Sequence, residues 1–217
     1  MLTLHTAGLL LPCGGRPPVP GGAVLVDGRA VAGVGPYEEL AAAHPAARTR
    51  RWPGVLTPGL RQPHGTWLLT RCYHPDPREA DVLGDAPLSG ERFDALPMDA
   101  ARRAGSVRRG VQRMLRHGTT AVVIAGGDPV VRDAVTRVGL VLLPAAPAGD
   151  PTGPPPGPDL DPFVTGRDLE GAVHAPLVVG GRADLAAFDV PPAEVAARGA
   201  GTCVATVLAG RLVYRRA

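Results

Sequence analysis

Residues 55–143 constrain the fold more than any other part of the chain, because their apolar pattern alternates between strand and helix periods. VLTPGL and TTAVVIA are short and apolar at consecutive positions, as in strands covered on both faces. Between them, residues 98–116 space Ala101, Ala104, Val107, Val111, Met114 and Leu115 three and four apart, which puts one apolar stripe on a helix. Gly118 stops that helix. Asp128 and Pro129 open a second one, DPVVRDAVTRV, and GLVLLP supplies a third strand. The order is βαβαβ, so strands are predicted over 55–64, 119–125 and 139–143, lying parallel. Residues 65–97 read as a long irregular excursion.

The chain ends have a different pattern. Residues 23–26 and 30–34 flank Asp27-Gly28, the strongest local hairpin signal available, and a short helix is predicted within residues 36–45. Short strands return after residue 175, with a hairpin turn at Gly210. Neither end alone has enough apolar strand to bury a core, so the two are expected to fold together. The predicted organisation is α/β: a composite β-rich domain from 1–54 plus 163–217, a βα unit at 55–143, and a Pro/Gly-rich linker or surface loop at 144–162.

Composition removes several possibilities. The three cysteines, Cys13, Cys72 and Cys203, form no CxxC pair and suggest reduced thiols, not a disulfide or zinc framework. No apolar run approaches the ~20 residues that span a bilayer, and the first residues lack a signal peptide's basic segment, so a soluble cytoplasmic protein without a membrane partner is expected. No lysine occurs, which excludes Schiff-base and carboxylated-lysine chemistry. The arginines of residues 101–117 lie mainly off the apolar stripe and aromatic residues make up only 4% of the chain, so that face is read as solvated and no nucleic-acid partner is expected. AGGDP, between strand and helix, lacks a phosphate-loop pattern and reads as a plain turn.

Three blocks carry a resemblance: GGAVLVDGRAVAGVGPYEEL near the start; WPGVLTPGLRQPHGTW and MLRHGTTAVV in the middle; and VGGRADLAAFDV with VATVLAGRLVY at the end. The quoted residues make up about a third of the chain and are spread over residues 21–214. In this order they resemble the amidohydrolase superfamily, in its imidazolonepropionase and cytosine-deaminase branch. The resemblance implies an opening and closing β domain around a βα barrel that hydrolyses C–N bonds with a zinc or iron ion. It also implies two histidines at i and i+2 on the first barrel strand, pointing the same way onto one metal. Here the first maps to His64 and the second position holds Thr66. The later ligand-bearing strands have no counterpart, and about half of the ~250 residues of a typical barrel are lacking.

The fold class expected is therefore a truncated βα barrel with a small composite β domain, and neither a metal nor another cofactor is expected. The ligand-binding candidates are His64, Thr66, Cys72 and His74, the last two in RCYH. His117 is expected to cap a helix C-terminus, while His5, His44 and His174 lie in segments without companion ligands or acids. Two functions remain open. One is a degenerate amidohydrolase kept as a small-molecule-binding or partner-binding subunit. The other is a hydrolase of cyclic amides or amidines whose site is completed by a partner chain. A remnant sheet with open flanks also predicts a homodimer or a heteromeric partner.

Overall fold

A computed structural model describes residues 1–145, 155, 157–164 and 166–216. Most of the predicted 144–162 linker, namely 146–154 and 156, lies outside the described residues. The fold is mixed α/β. A four-stranded sheet runs β5 (Ala30–Pro36), β4 (Gly22–Asp27), β1 (Leu2–Thr6), β6 (Arg48–Arg51). A six-stranded sheet runs β15 (Arg211–Arg215), β14 (Cys203–Leu208), β13 (Leu185–Phe188), β7 (Val55–Pro58), β2 (Leu9–Leu10), β3 (Val19–Pro20). Three parallel strands follow the order β12 (Val141–Leu143), β11 (Thr119–Val123), β8 (Leu60–Gln62), and β9 (Cys72–Tyr73) pairs with β10 (Leu88–Ser89).

Side-chain alternation sets the layers. On β4, Ala23 and Leu25 pack toward helix α1 (Tyr37–Ala43), while Val24 and Val26 meet Leu56, Leu185, Ala205 and Val207 of the six-stranded sheet. The two chain ends thus share one core. Gly28, at φ 57, occupies the first position of the β4–β5 turn, as a type II′ hairpin requires. Ala209 and Gly210 both have positive φ, 48 and 75, which is the type I′ pattern between β14 and β15.

The two long helices form where the apolar stripes place them. α5 (Ala100–Leu115) starts at Asp99, whose carboxylate accepts from the Arg102 amide at 2.7 Å, and buries Val107, Val111 and Met114. α6 (Pro129–Val138) starts at Asp128, which accepts from the Val130 and Val131 amides, and ends on left-handed Gly139. Asp128 thereby occupies two amides of the first turn of α6, and the Ala125 amide of the AGGDP turn donates to Thr66 Oγ1. Both helices cover β11 through Val122, Val131, Val135 and Leu140. His117 follows α5, and its Nδ1–H donates to the Arg113 carbonyl at 3.0 Å, the expected C-terminal role.

Three expectations need correction. Residues 55–64 do not form one strand: the chain leaves the six-stranded sheet at Pro58 and enters the parallel sheet at Leu60. The pivot is Gly59, where a Cβ would stand 2.1 Å from Thr120 Oγ1. Residues 65–97 are less irregular than expected, with α2 (Gly65–Thr70), α3 (Ala80–Leu83) and α4 (Glu91–Asp94) joining β9 and β10. The arginine face of α5 is only partly solvated. Arg102 donates to Glu79 at 2.8 Å and to the Tyr73 hydroxyl at 3.0 Å, Arg109 pairs with Asp76 at 3.0 Å, and Arg103 pairs with Asp128. Arg102 and Arg109 also lie over the Tyr73 ring, so these cations fasten the excursion to the helix.

The two flanks of the parallel sheet also differ. Beside β8 the returning chain is seated: Leu60 bridges Val173, and Gln62 Nε2 donates to the Leu160 carbonyl at 2.9 Å. Two further short helices, α7 (Leu169–Ala172) and α8 (Val195–Arg198), belong to this returning segment. On the other side, β12 pairs only with β11 among the described residues.

Candidate functional site

The C-terminal ends of β8 and β11 hold the first two site candidates. Gln62, fully buried, ends the ladder opposite Val122, and its Oε1 accepts from the His64 amide at 3.0 Å. With no further strand partner, the backbone turns into α2, for which His64 is the N-cap. His64 and Thr66 therefore do not share a strand face. Two residues apart at the start of a helix, they project to different sides. Thr66 Oγ1 accepts from the Ala125 amide at 2.7 Å and holds the end of β11 against α2. The His64 ring is buried, with the residue 4% exposed.

Cys72 and His74 lie one turn of chain further, beneath α5. Burial pushes the Cys72 thiol up to about 12, so it keeps its proton at any physiological pH. The fully buried His74 ring donates from Nε2 to the Leu68 carbonyl at 3.0 Å. Burial pushes His74 down to about 4, with Arg113 and Arg109 adding to the effect. Gly110 of α5 makes room for this ring, since a Cβ there would come within 2.7 Å of it.

These donors do not fit a zinc or iron ion. The Thr66 hydroxyl is engaged by Ala125, and His74 Nε2 is a donor to carbonyl oxygen. Among the described residues, no three His, Cys, Asp or Glu side chains are grouped to hold a metal.

The fold also assembles a cluster that the sequence reading missed. His174 does have an acidic neighbour: with Asp184, Thr120, Gly59 and Arg182 it lines a cavity of about 160 Å³ at the opposite, N-terminal end of the parallel strands. The Asp184 carboxylate accepts from the Ala209 amide at 2.7 Å and from Arg182 Nε at 3.0 Å, while burial raises its pKa. His174 is pushed down by burial, and Asp184 works against that shift. The signal in the sequence was the RAD triplet ahead of β13, but nothing local ties it to His174. As bonded, Asp184 braces the β14–β15 turn.

Residues 22–47, which cover β4, β5 and α1, match the model of the bacterial imidazolonepropionase-like composite domain. That match takes in well under half of the chain, and the chain is partial with respect to the solved structures it is similar to. A. niger ochratoxinase is similar at 22% identity over 72% of this chain and 38% of that one, with a TM-score of 0.46. E. coli guanine deaminase is similar at 14% identity over 66% of this chain and 36% of that one, TM-score 0.49. Helicobacter pylori aminofutalosine deaminase is similar at 14% identity over 66% and 33%, TM-score 0.46. The chain thus spans 33 to 38% of the length of these three proteins. No curated protein matches it. No helix among the described residues is long and apolar enough to cross a membrane.

Proposed function

We propose that this chain is a degenerate imidazolonepropionase-like member of the amidohydrolase group, working as a small-molecule-binding or partner-binding subunit and not as a hydrolase. In this reading β8, β11 and β12 are a partial βα barrel, at 55–143, beside a composite domain from 1–54 and 163–217. Residues 144–162 connect them. The cytoplasmic setting expected from the sequence is kept, since the cytoplasm holds free thiols such as the three buried here in reduced form. The partner, a second copy or another chain, would pair with the edge of β12.

The observation that carries the reading is the engagement of Thr66. A residue that would have to face a metal with His64 instead accepts the Ala125 amide at 2.7 Å. Elemental analysis of the purified protein tests it. No stoichiometric zinc, iron or manganese is expected. About one metal per chain, lost in His64→Ala, would overturn the proposal and favour the C–N hydrolase with a site completed by a partner.

A further inference from the structure

β6 ends the four-stranded sheet and β15 ends the six-stranded sheet, and a cleft of about 330 Å³ opens between these two edges. Its walls are cationic. Arg48 and Arg50 alternate on β6, Arg51 follows them, and Arg215 reaches in from the end of β15; Trp52 and Leu212 are the apolar lining. Trp52 is fixed in place because its indole N–H donates to His5 Nδ1 at 3.2 Å.

Five arginines elsewhere in the chain, Arg102, Arg103, Arg109, Arg182 and Arg198, each pair with a carboxylate. None of the four cleft arginines pairs with a carboxylate among the described residues. Arg50 is the informative one. Its Nε is buried and has no hydrogen-bond partner, and the charges that press on it come from Arg48 and Arg215, with no acid to offset them. Exposed arginines at strand edges also keep edges from pairing with other chains. That role accounts for Arg48 and Arg215, but not for a guanidinium nitrogen withdrawn from water. A buried, unsatisfied donor on a cation is costly, and an oxyanion bound in the cleft removes the cost.

We propose that the β6–β15 cleft binds the phosphate group of a small phosphorylated molecule, with Arg48, Arg50 and Arg215 as its ligands. The cleft lies at the lower end of the range of small-molecule pockets. Nucleic acid fits less well. Stacking needs open aromatic faces, whereas Trp52 is 9% exposed and the Tyr37 ring is covered by the Arg51 guanidinium, 4.5 Å from its centroid. The site uses none of the residues on which the metal question rests, so it stands whether or not the chain hydrolyses anything.

Isothermal titration of the full chain tests this, using inorganic phosphate, pyrophosphate and glycerol 3-phosphate, each against a chloride control of equal ionic strength. One saturable site per chain is expected, weakened at least tenfold in Arg50→Gln and in Arg215→Gln. The melting temperature of ligand-free Arg50→Gln should be unchanged or raised, because a repulsive charge is gone. That result separates a ligand-binding arginine from a structural one, whose loss would lower it. Tighter binding of glycerol 3-phosphate than of inorganic phosphate identifies an organic phosphoester as the ligand, and equal binding identifies the free anion; both support the site. No saturable heat, affinity unchanged in both variants, or tighter binding of a single-stranded oligonucleotide would overturn the proposal.

Discussion

Two buried histidines should make this fold sensitive to mild acid. His5 and His74 are 1% and 0% exposed, and each is pushed from 6.5 down to about 4, first by burial and then by arginines, Arg50 for His5 and Arg113 with Arg109 for His74. A histidine whose folded pKa is depressed stabilises the fold above its unfolded pKa and loses that contribution as pH falls toward the folded value. In the window from 6.5 to about 4 the unfolded chain holds the extra proton. Each group then removes about 1.4 kcal/mol per pH unit, or about 3 kcal/mol over the window. Together they remove about 6 kcal/mol from a total on the order of 5–15 kcal/mol for a typical domain. Asp161 and Asp184 have raised pKa values, so they act with the opposite sign, favouring the fold at low pH and losing that contribution as pH rises. Comparing the unsubstituted chain with His74→Gln cancels them. Glutamine can still donate to the Leu68 carbonyl but cannot gain a proton. Urea unfolding followed by circular dichroism from pH 7.5 to 4.5 should show a stability difference that is constant above pH 7. It should then move in favour of His74→Gln by about 3 kcal/mol at pH 4.5. A difference that stays flat across the whole range would refute the buried, neutral state assigned to His74.

Two further outcomes follow from geometry. Gly210→Ala should destabilise the chain by about 2–4 kcal/mol in urea unfolding, since φ is 75 there and a Cβ would stand 1.9 Å from the Gly28 carbonyl oxygen; a loss below about 0.5 kcal/mol would mean the two hairpin turns do not meet. Thr66→His should not create a zinc site, because positions 64 and 66 open α2 and project to different sides; one zinc per chain after dialysis against the metal would show that the strand continues through this segment.

What could be read in the sequence was what neighbouring residues decide among themselves. Asp128, Pro129 and Gly139 delimit α6, Gly28 and Gly210 mark hairpins, and the stripe of Val107, Val111 and Met114 finds the buried face of α5. What could not be read depends on partners distant in sequence. The arginine cleft joins position 50 to position 215, and the excursion is fastened by Arg102 to Glu79 and Arg109 to Asp76. An amphipathic pattern gives the side of α5 that is polar, but not what occupies that side.

The segment around His64 shows why a local likeness can mislead about geometry. Its apolar approach, VLTPGL, reads as one strand delivering a histidine, and nothing in its composition marks a break. The break comes from two sheets competing for the same ten residues. Val55–Pro58 is held by β13 and β2, so Leu60–Gln62 alone is left for β11. Gly59 makes the change possible because only a residue without Cβ can pass Thr120 at that distance. A strand that short ends its ladder at Gln62, two residues before His64, and the Gln62 side chain then takes the His64 amide that a ladder would have used. Backbone pairing, set by residues more than 45 positions away, thus decides that Thr66 meets the Ala125 amide.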